Sequence, residues 1–168
     1  MTLVVADSSP LHYLILLGRP DLLRHLFDSV VIPPAVAEEL AQPNTPPRVR
    51  EWIQNPPPWL SVDDRPLGPR SPVLDPGEAD AISLALALGA DAILIDENRG
   101  RNEARRLGLR PLGVVGVLEQ AASQNLVDLR AVLQQLVSTT NFRITQRVLD
   151  EVLDRDQSRR PRNPGLEP

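Results

Sequence analysis

Short aliphatic runs alternate with helical segments along this chain, and two of the runs end at an aspartate. Residues 3–6 and 92–95 have the length of strands and are followed directly by Asp7 and Asp96. Residues 30–32 form a third run of this kind. Continuous apolar runs this short are typical of strands buried on both faces. Their alternation with helices predicts an α/β fold in which helices cover both sides of a mostly parallel sheet.

The clearest helical segment is residues 77–88, where apolar side chains repeat at helical spacing and Gly89 is a suitable residue to follow the last turn. A short extended segment is expected at residues 110–113. Further helices are predicted over residues 11–17, 22–27, 35–41, 48–54, 98–107, 114–123, 127–137 and 144–153.

Proline is concentrated in residues 55–76. We interpret this segment as a loop within one domain that spans residues 1–155, with residues 59–62 as a strand at the edge of the sheet. A disordered linker between two domains is the alternative. Residues 156–168 are charged and rich in proline, which predicts a disordered tail.

The composition excludes several classes of site. The chain has no cysteine, so it has no disulfide, no thiolate metal site and no thiol nucleophile. His12 and His25 are its 2 histidines, too few for a histidine-rich zinc site. Its 22 acidic and 18 basic residues give a net charge of −4, so bulk charge alone does not attract nucleic acid.

Neither a secretory signal nor an apolar run approaching the ~20 residues of a membrane helix is present. We therefore expect a soluble, cytoplasmic protein with no membrane partner.

The acidic residues suggest a site at one edge of the sheet. The carboxyl ends of parallel strands meet at one edge, so Asp7 and Asp96 should project there together, and Glu78 begins the helix that precedes the Asp96 strand. Carboxylates that converge repel one another unless a cation is bound, and ligand sets made only of oxygen suit Mg²⁺ or Mn²⁺. Other acids close to these in sequence or on a neighbouring helix are Asp80, Glu97, Glu38 and Glu39.

Each acid also has an ordinary structural interpretation when taken alone. Asp7 can cap the helix that follows it, and Glu78 is favoured by the dipole of its helix. Glu38 and Glu39 can belong to a solvated helix face.

Arg101 and Arg105 are four residues apart and share a helix face, from which they could contact a phosphate backbone. A solvated helix with local pairs to Glu103 is the alternative. A serine hydrolase is disfavoured because no Gly-x-Ser-x-Gly elbow surrounds Ser8 or Ser9. The chain also lacks a phosphate-binding glycine loop.

Taken in order, five stretches resemble the PIN-domain superfamily, in particular its small prokaryotic members close to VapC-type toxins. These are residues 4–11, 31–40, 77–85, 93–97 and 113–118. The resemblance extends over about residues 3–153. It implies a three-layer α/β/α fold around a mostly parallel sheet, and an acidic pocket that binds Mg²⁺ or Mn²⁺. It also implies ribonuclease activity, often as the toxin of a toxin–antitoxin pair and often as a homodimer.

The family's four acids correspond here to Asp7, Glu39, Glu78 and Asp96, with Asp80 and Glu97 as auxiliary acids. The third of these is glutamate where most VapC-type toxins have aspartate. The resemblance therefore predicts a metal-dependent endoribonuclease that binds RNA, with Arg101 and Arg105 as phosphate contacts and an antitoxin as a possible partner.

Two other functions are open. A PIN-like module could bind RNA or a protein without cutting it. A phosphohydrolase with Asp7 as nucleophile would need a second aspartate where Ser9 stands and a lysine, and the chain has no lysine.

Overall fold

The computed structural model describes residues 1–160. Within them, one parallel sheet has the strand order β3-β2-β1-β4-β5. The strands are β1 (Leu3–Ala6), β2 (Ser29–Ile32), β3 (Leu60–Val62), β4 (Ala92–Leu94) and β5 (Pro111–Leu112). The predicted α/β fold is confirmed, and β3 lies at an edge as expected.

Nine helices are present in the described part of the chain. They are α1 (Ser8–Leu16), α2 (Leu22–Leu26), α3 (Pro34–Leu40), α4 (Pro47–Gln54), α5 (Pro76–Leu88), α6 (Asn98–Arg106), α7 (Val114–Ser123), α8 (Leu129–Thr139) and α9 (Gln146–Arg159). None of the helices described is both long enough and apolar enough to cross a membrane.

The sheet separates two apolar cores, because alternate side chains of a strand point to opposite faces. Val4 and Ala6 pack into the larger core, together with side chains from α1, α2, α4, α7, α8 and α9. Val5 packs into the smaller core against α5 and α6. The result is the three-layer α/β/α arrangement.

The proline-rich segment connects β3 to α5, and strands on both sides of it lie in the same sheet. The Asp63 N–H donates to the Ile32 carbonyl at 3.0 Å, which holds the start of the segment. Further along, the Arg70 guanidinium donates to both carboxylate oxygens of Asp80 at 2.8 Å. The segment is thus fastened to α5 by a bidentate ion pair.

The prediction of a disordered tail starting at residue 156 is wrong for residues 156–159, which continue α9. Asp156 is buried, and its carboxylate lies 3.1 Å from the Arg160 guanidinium. Glu119 of α7 accepts hydrogen bonds from Arg155 and Arg159. The charges that suggested disorder therefore find partners, Arg155 and Arg159 across the α7–α9 contact and Asp156 one turn further along its own helix. Residues 161–168 of the predicted tail lie outside the described residues.

Candidate metal centre

The parallel register of β1 and β4 brings two aspartates to the same edge of the sheet. Ala6 pairs with Leu94, and the Asp7 N–H donates to the Leu94 carbonyl at 2.8 Å. Asp7 and Asp96 therefore leave neighbouring strands in the same direction. Glu78, in the first turn of α5, completes a set of acids that are buried or half-buried.

Each of these three carboxylates has one oxygen without a partner. Asp96 Oδ1 accepts a hydrogen bond from the Val114 N–H at 2.9 Å, and Glu78 Oε2 accepts one from the Asp75 N–H at 3.4 Å. Asp96 Oδ2, Glu78 Oε1 and Asp7 Oδ1 are buried without a hydrogen-bond partner among the described residues. A buried acceptor left unsatisfied costs about 1–3 kcal/mol. Free oxygens concentrated in one place therefore point to a ligand.

The ordinary structural interpretations account for only part of this arrangement. Asp7 occupies the N-cap position of α1, but its side chain forms no capping hydrogen bond there. Glu78 does hold the Asp75 N–H at the start of α5, but with one oxygen only. Capping thus explains one Glu78 oxygen and leaves the free oxygens of Asp7 and Glu78 unused.

Glu39 reaches the same place from α3, although its side chain is exposed. A Cβ atom at Gly77 would lie 2.7 Å from Glu39 Oε2 and 3.4 Å from Asp7 Oδ1. In this arrangement the Glu39 carboxylate lies closer to the backbone of the first turn of α5 than a side chain at position 77 would leave room for, whereas Asp7 Oδ1 would be at ordinary contact distance. The glycine that precedes Glu78 is explained by this approach.

The pKa values show that the acids share one environment. Burial raises the pKa of Asp7 from 3.8 to about 7, and the negative charges of Glu39, Glu78 and Asp96 add to the rise, while the Ser8 N–H opposes it. Burial is also the main cause that raises the pKa of Glu78. Close like charges of this kind favour protonation or a bound cation.

The pKa of Asp96 is also raised, but more of the groups around it act to lower it. Burial raises its pKa from 3.8 to about 6, and the charge of Glu97 adds to this. The Val114 N–H and the Arg101 guanidinium act in the opposite direction. Asp96 is therefore held between opposing influences, whereas among the contributions to Asp7 only the Ser8 N–H favours the charged form.

The donor chemistry of Asp7, Glu39, Glu78 and Asp96 fits a hard divalent cation, because all donors are carboxylate oxygens and three of them are free. No group of three or more Asp, Glu or His side chains within residues 1–160 is already arranged to hold a metal ion. These side chains would therefore have to move closer together to share a bound cation.

The two auxiliary acids behave differently. The charge of Glu97 raises the pKa of both Asp96 and Glu78, so Glu97 lies beside the centre. Asp80 turns away from it and lies in a separate cleft with Glu38, held by Arg70. Residues two apart on a helix point about 200° apart, so Glu78 and Asp80 cannot face the same site.

The two candidate phosphate contacts are separated as well. Arg101 lies beside Asp96, and a Cβ atom at Gly113 would lie 2.9 Å from Arg101 Nη1 and 2.7 Å from Asp96 Oδ1. Arg105 is exposed and donates to Asn102 on its own helix at 3.3 Å. Arg101 therefore lines the centre, and Arg105 is not among the residues that line the cleft beside Asp96.

Sequence reasoning missed the residues that border the centre from the C-terminal part of the chain. The Tyr13 hydroxyl donates to Asn141 Oδ1 at 2.9 Å, which ties the α8–α9 connection to α1. Tyr13 and Phe142 stack edge to face with ring centroids 5.0 Å apart. These contacts join residues more than a hundred positions apart. No motif or spacing in the sequence indicates these contacts.

Two clefts adjoin the centre. One, of about 580 Å³, is lined by Asp96, Arg101 and residues 141–145. The other, of about 380 Å³, contains Glu39 and His12, and burial lowers the pKa of that histidine. Ser9, Tyr13 and Asn141 line both clefts. The two clefts therefore adjoin at these three residues and together form a groove, with Asp96 in one part and Glu39 in the other.

Known proteins that are similar to this chain have the same fold. A family model described as DUF3368: PIN domain matches residues 3–158. A solved structure of a PilT N-terminus domain protein from the hyperthermophilic archaeon Sulfolobus solfataricus P2 is similar, with a TM-score of 0.50 and 14% sequence identity. The match covers 86% of this chain and 99% of that one, and at this identity it concerns the fold alone. No curated protein matches the sequence. The resemblance inferred from the acidic stretches is confirmed: the chain belongs to the PIN-domain family.

Proposed function

We propose that this protein is a metal-dependent endonuclease that hydrolyses RNA phosphodiester bonds, with Asp7, Glu39, Glu78 and Asp96 as the residues that hold Mg²⁺ or Mn²⁺. PIN domains are typically nucleases that use divalent metal ions, and the family supports the class of reaction. The observation that carries the proposal is the set of three buried, unpartnered oxygens on Asp7, Glu78 and Asp96.

When bound, a divalent cation would supply Lewis-acid stabilisation and a water molecule of lowered pKa for attack on phosphorus. The residues of the chain have separate roles around this cation. Asp7 and Asp96 are held at the ends of β1 and β4 and would fix the position of the cation. Glu39 is the exposed member of the set and borders the groove, so it is best placed to orient the attacking water and to accept its proton.

Arg101 provides the positive charge on the substrate side. Its guanidinium is close enough to lower the pKa of Asp96, and no salt bridge occupies it within residues 1–160. Such a group can contact the phosphate that is being cleaved or the one next to it.

Cleavage of a labelled single-stranded RNA in Mn²⁺ buffer tests the proposal. Asp96→Asn should abolish cleavage without changing the circular dichroism spectrum, and Glu39→Gln should slow it by about 10²–10⁴-fold. Asp80→Asn is the matched control, since Asp80 is an acid of the same helix as Glu78 that faces Arg70 instead. Cleavage by Asp96→Asn at the wild-type rate would contradict the assignment.

The proposal extends to the biological setting that the sequence resemblance implies: a cytoplasmic toxin that acts as a homodimer and is neutralised by an antitoxin. Growth arrest on expression of the wild type, absent for Asp96→Asn, would support the toxin role. Light scattering would report the oligomeric state. A wild type that cleaves RNA in vitro but leaves growth unaffected would remove the toxin role and keep the nuclease.

A further inference from the structure

We infer that the cleft beside Asp96 is a subsite for one nucleotide of a single-stranded substrate, in which Phe142 and Val148 contact the base and Arg101 and Arg143 contact the phosphate. This inference rests on the proposed nuclease function and specifies where its substrate lies. The cleft has a volume of about 580 Å³, which is within the range of small-ligand pockets.

The α8–α9 connection provides an ordered apolar wall for this subsite. Phe142 packs edge to face on Tyr13 with an interplanar angle of 80°, and its N–H donates to the Thr140 hydroxyl at 3.1 Å. The Thr145 side chain accepts from the Val148 N–H at 3.3 Å and fixes the start of α9. A wall held at both ends in this way keeps its shape without a ligand, so little order has to be gained when a base binds.

Val148 extends that wall, and it is not part of either apolar core. Its side chain is 41% exposed although it is apolar, and it lines the cleft together with Phe142 and Ile144. An apolar surface next to an aromatic ring, at the side of an acidic centre, fits the flat face of a nucleobase.

Besides an apolar wall for the base, a nucleotide subsite needs positive charge for the phosphate. Two arginines from different elements provide it. Arg101 comes from α6, and Arg143 comes from the α8–α9 connection. Arg143 is exposed, and neither arginine forms a salt bridge within residues 1–160. The cleft also contains the carboxylates of Asp96 and Glu97, so the two arginines supply the positive charge that a phosphate needs beside these acids.

The groove explains why the occupant is part of a chain rather than a free nucleotide. Ser9, Tyr13 and Asn141 line both this cleft and the one that contains Glu39. A strand long enough to occupy both clefts therefore passes from Asp96 in one cleft to Glu39 in the other. A base can only reach Phe142 when it is unpaired, so the substrate is single-stranded at this point.

Fluorescence anisotropy with 5′-fluorescein-labelled hexauridylate tests the subsite. The measurement is made in EDTA, so that it depends neither on the metal nor on cleavage, and is repeated with an abasic hexamer of the same backbone. Phe142→Ala should weaken binding of hexauridylate about fivefold or more and leave the abasic probe unchanged. Arg143→Ala should weaken both probes about two- to fivefold. It should also reduce the salt dependence by about 0.7 in the slope of log K against log salt.

Arg147→Ala is the matched control, because Arg147 is an exposed arginine in the first turn of α9 that pairs with Glu151 and does not line the cleft. Arg143→Ala keeps the test decisive if Phe142→Ala fails to fold. Equal affinity of wild type and both cleft variants for hexauridylate overturns the subsite. Loss of affinity in these variants together with no RNA cleavage by the wild type supports the subsite and removes the nuclease function instead.

Discussion

Replacing Asp7 by asparagine should stabilise the metal-free protein, and the gain should grow with pH. Burial and the neighbouring acids raise the pKa of Asp7 from 3.8 in the unfolded chain to about 7 in the folded one. A difference of this size corresponds to about 4 kcal/mol. Below about pH 4 the carboxyl is protonated in both states and costs nothing. Between about pH 4 and pH 7 the unfolded chain has released this proton while the folded protein retains it, so the free energy of unfolding falls by this amount across that range and no further above it.

Asp7→Asn removes this charge and keeps the shape of the side chain. At pH 8 in EDTA its free energy of unfolding should exceed that of the wild type by up to about 4 kcal/mol, or about 10 °C in Tm, and the gap should close near pH 4. Urea unfolding followed by circular dichroism at pH 4, 6 and 8 measures it. Asp64→Asn, at an exposed carboxylate of the proline-rich segment, is the control and should show no such trend. A less stable Asp7→Asn at pH 8 would refute the reasoning, because Asp7 would then be held by favourable contacts.

Two further substitutions separate the centre from its surroundings. Gly77→Ala places a Cβ atom 2.7 Å from Glu39 Oε2, so it should displace that carboxylate and slow RNA cleavage about 10–100-fold with little loss of stability; unchanged cleavage would mean that Glu39 is dispensable. Arg70→Ala leaves the nearly buried Asp80 carboxylate without its partner, so urea unfolding should show a loss of about 1–3 kcal/mol while the cleavage rate stays at the wild-type value. A cleavage rate as low as that of Asp96→Asn would place Asp80 in the centre.

The sheet and its acidic edge could be predicted because they depend on local patterns and on one geometric rule. Short apolar runs have few alternatives to buried parallel strands, and parallel strands end on the same side. Asp7 and Asp96 follow from that rule alone. Glu39 did not follow from it and came from the family resemblance; the physical reason for its place, the open backbone at Gly77, became visible only in the folded protein.

Asp80 shows where proximity in sequence misleads. It is two residues from Glu78 and was expected as an auxiliary acid, but a helix turns these two side chains to opposite sides. Asp80 is instead held by Arg70. Arg70 lies in the proline-rich segment, whose conformation cannot be predicted from a local sequence pattern.

The C-terminal part was the least predictable because its contacts are long-range. Glu119 of α7 pairs with Arg155 and Arg159 of α9, which helps to order a charge-rich stretch as a helix. The bond between Tyr13 and Asn141 joins residues 128 positions apart. Neither contact has a signature in sequence spacing, yet the second one shapes the groove beside the acids.

Calorimetric titration with Mn²⁺ tests the central claim most directly, on the wild type and on the double variant Asp7→Asn/Asp96→Asn, with Asp80→Asn as the control. If the acids form one metal centre, the wild type and Asp80→Asn bind Mn²⁺ and the double variant does not. Binding should also restore the wild-type stability that is lost between about pH 4 and pH 7, because the cation neutralises the carboxylates. Equal Mn²⁺ binding by all three proteins, or none by the wild type even with RNA present, would contradict the metal centre.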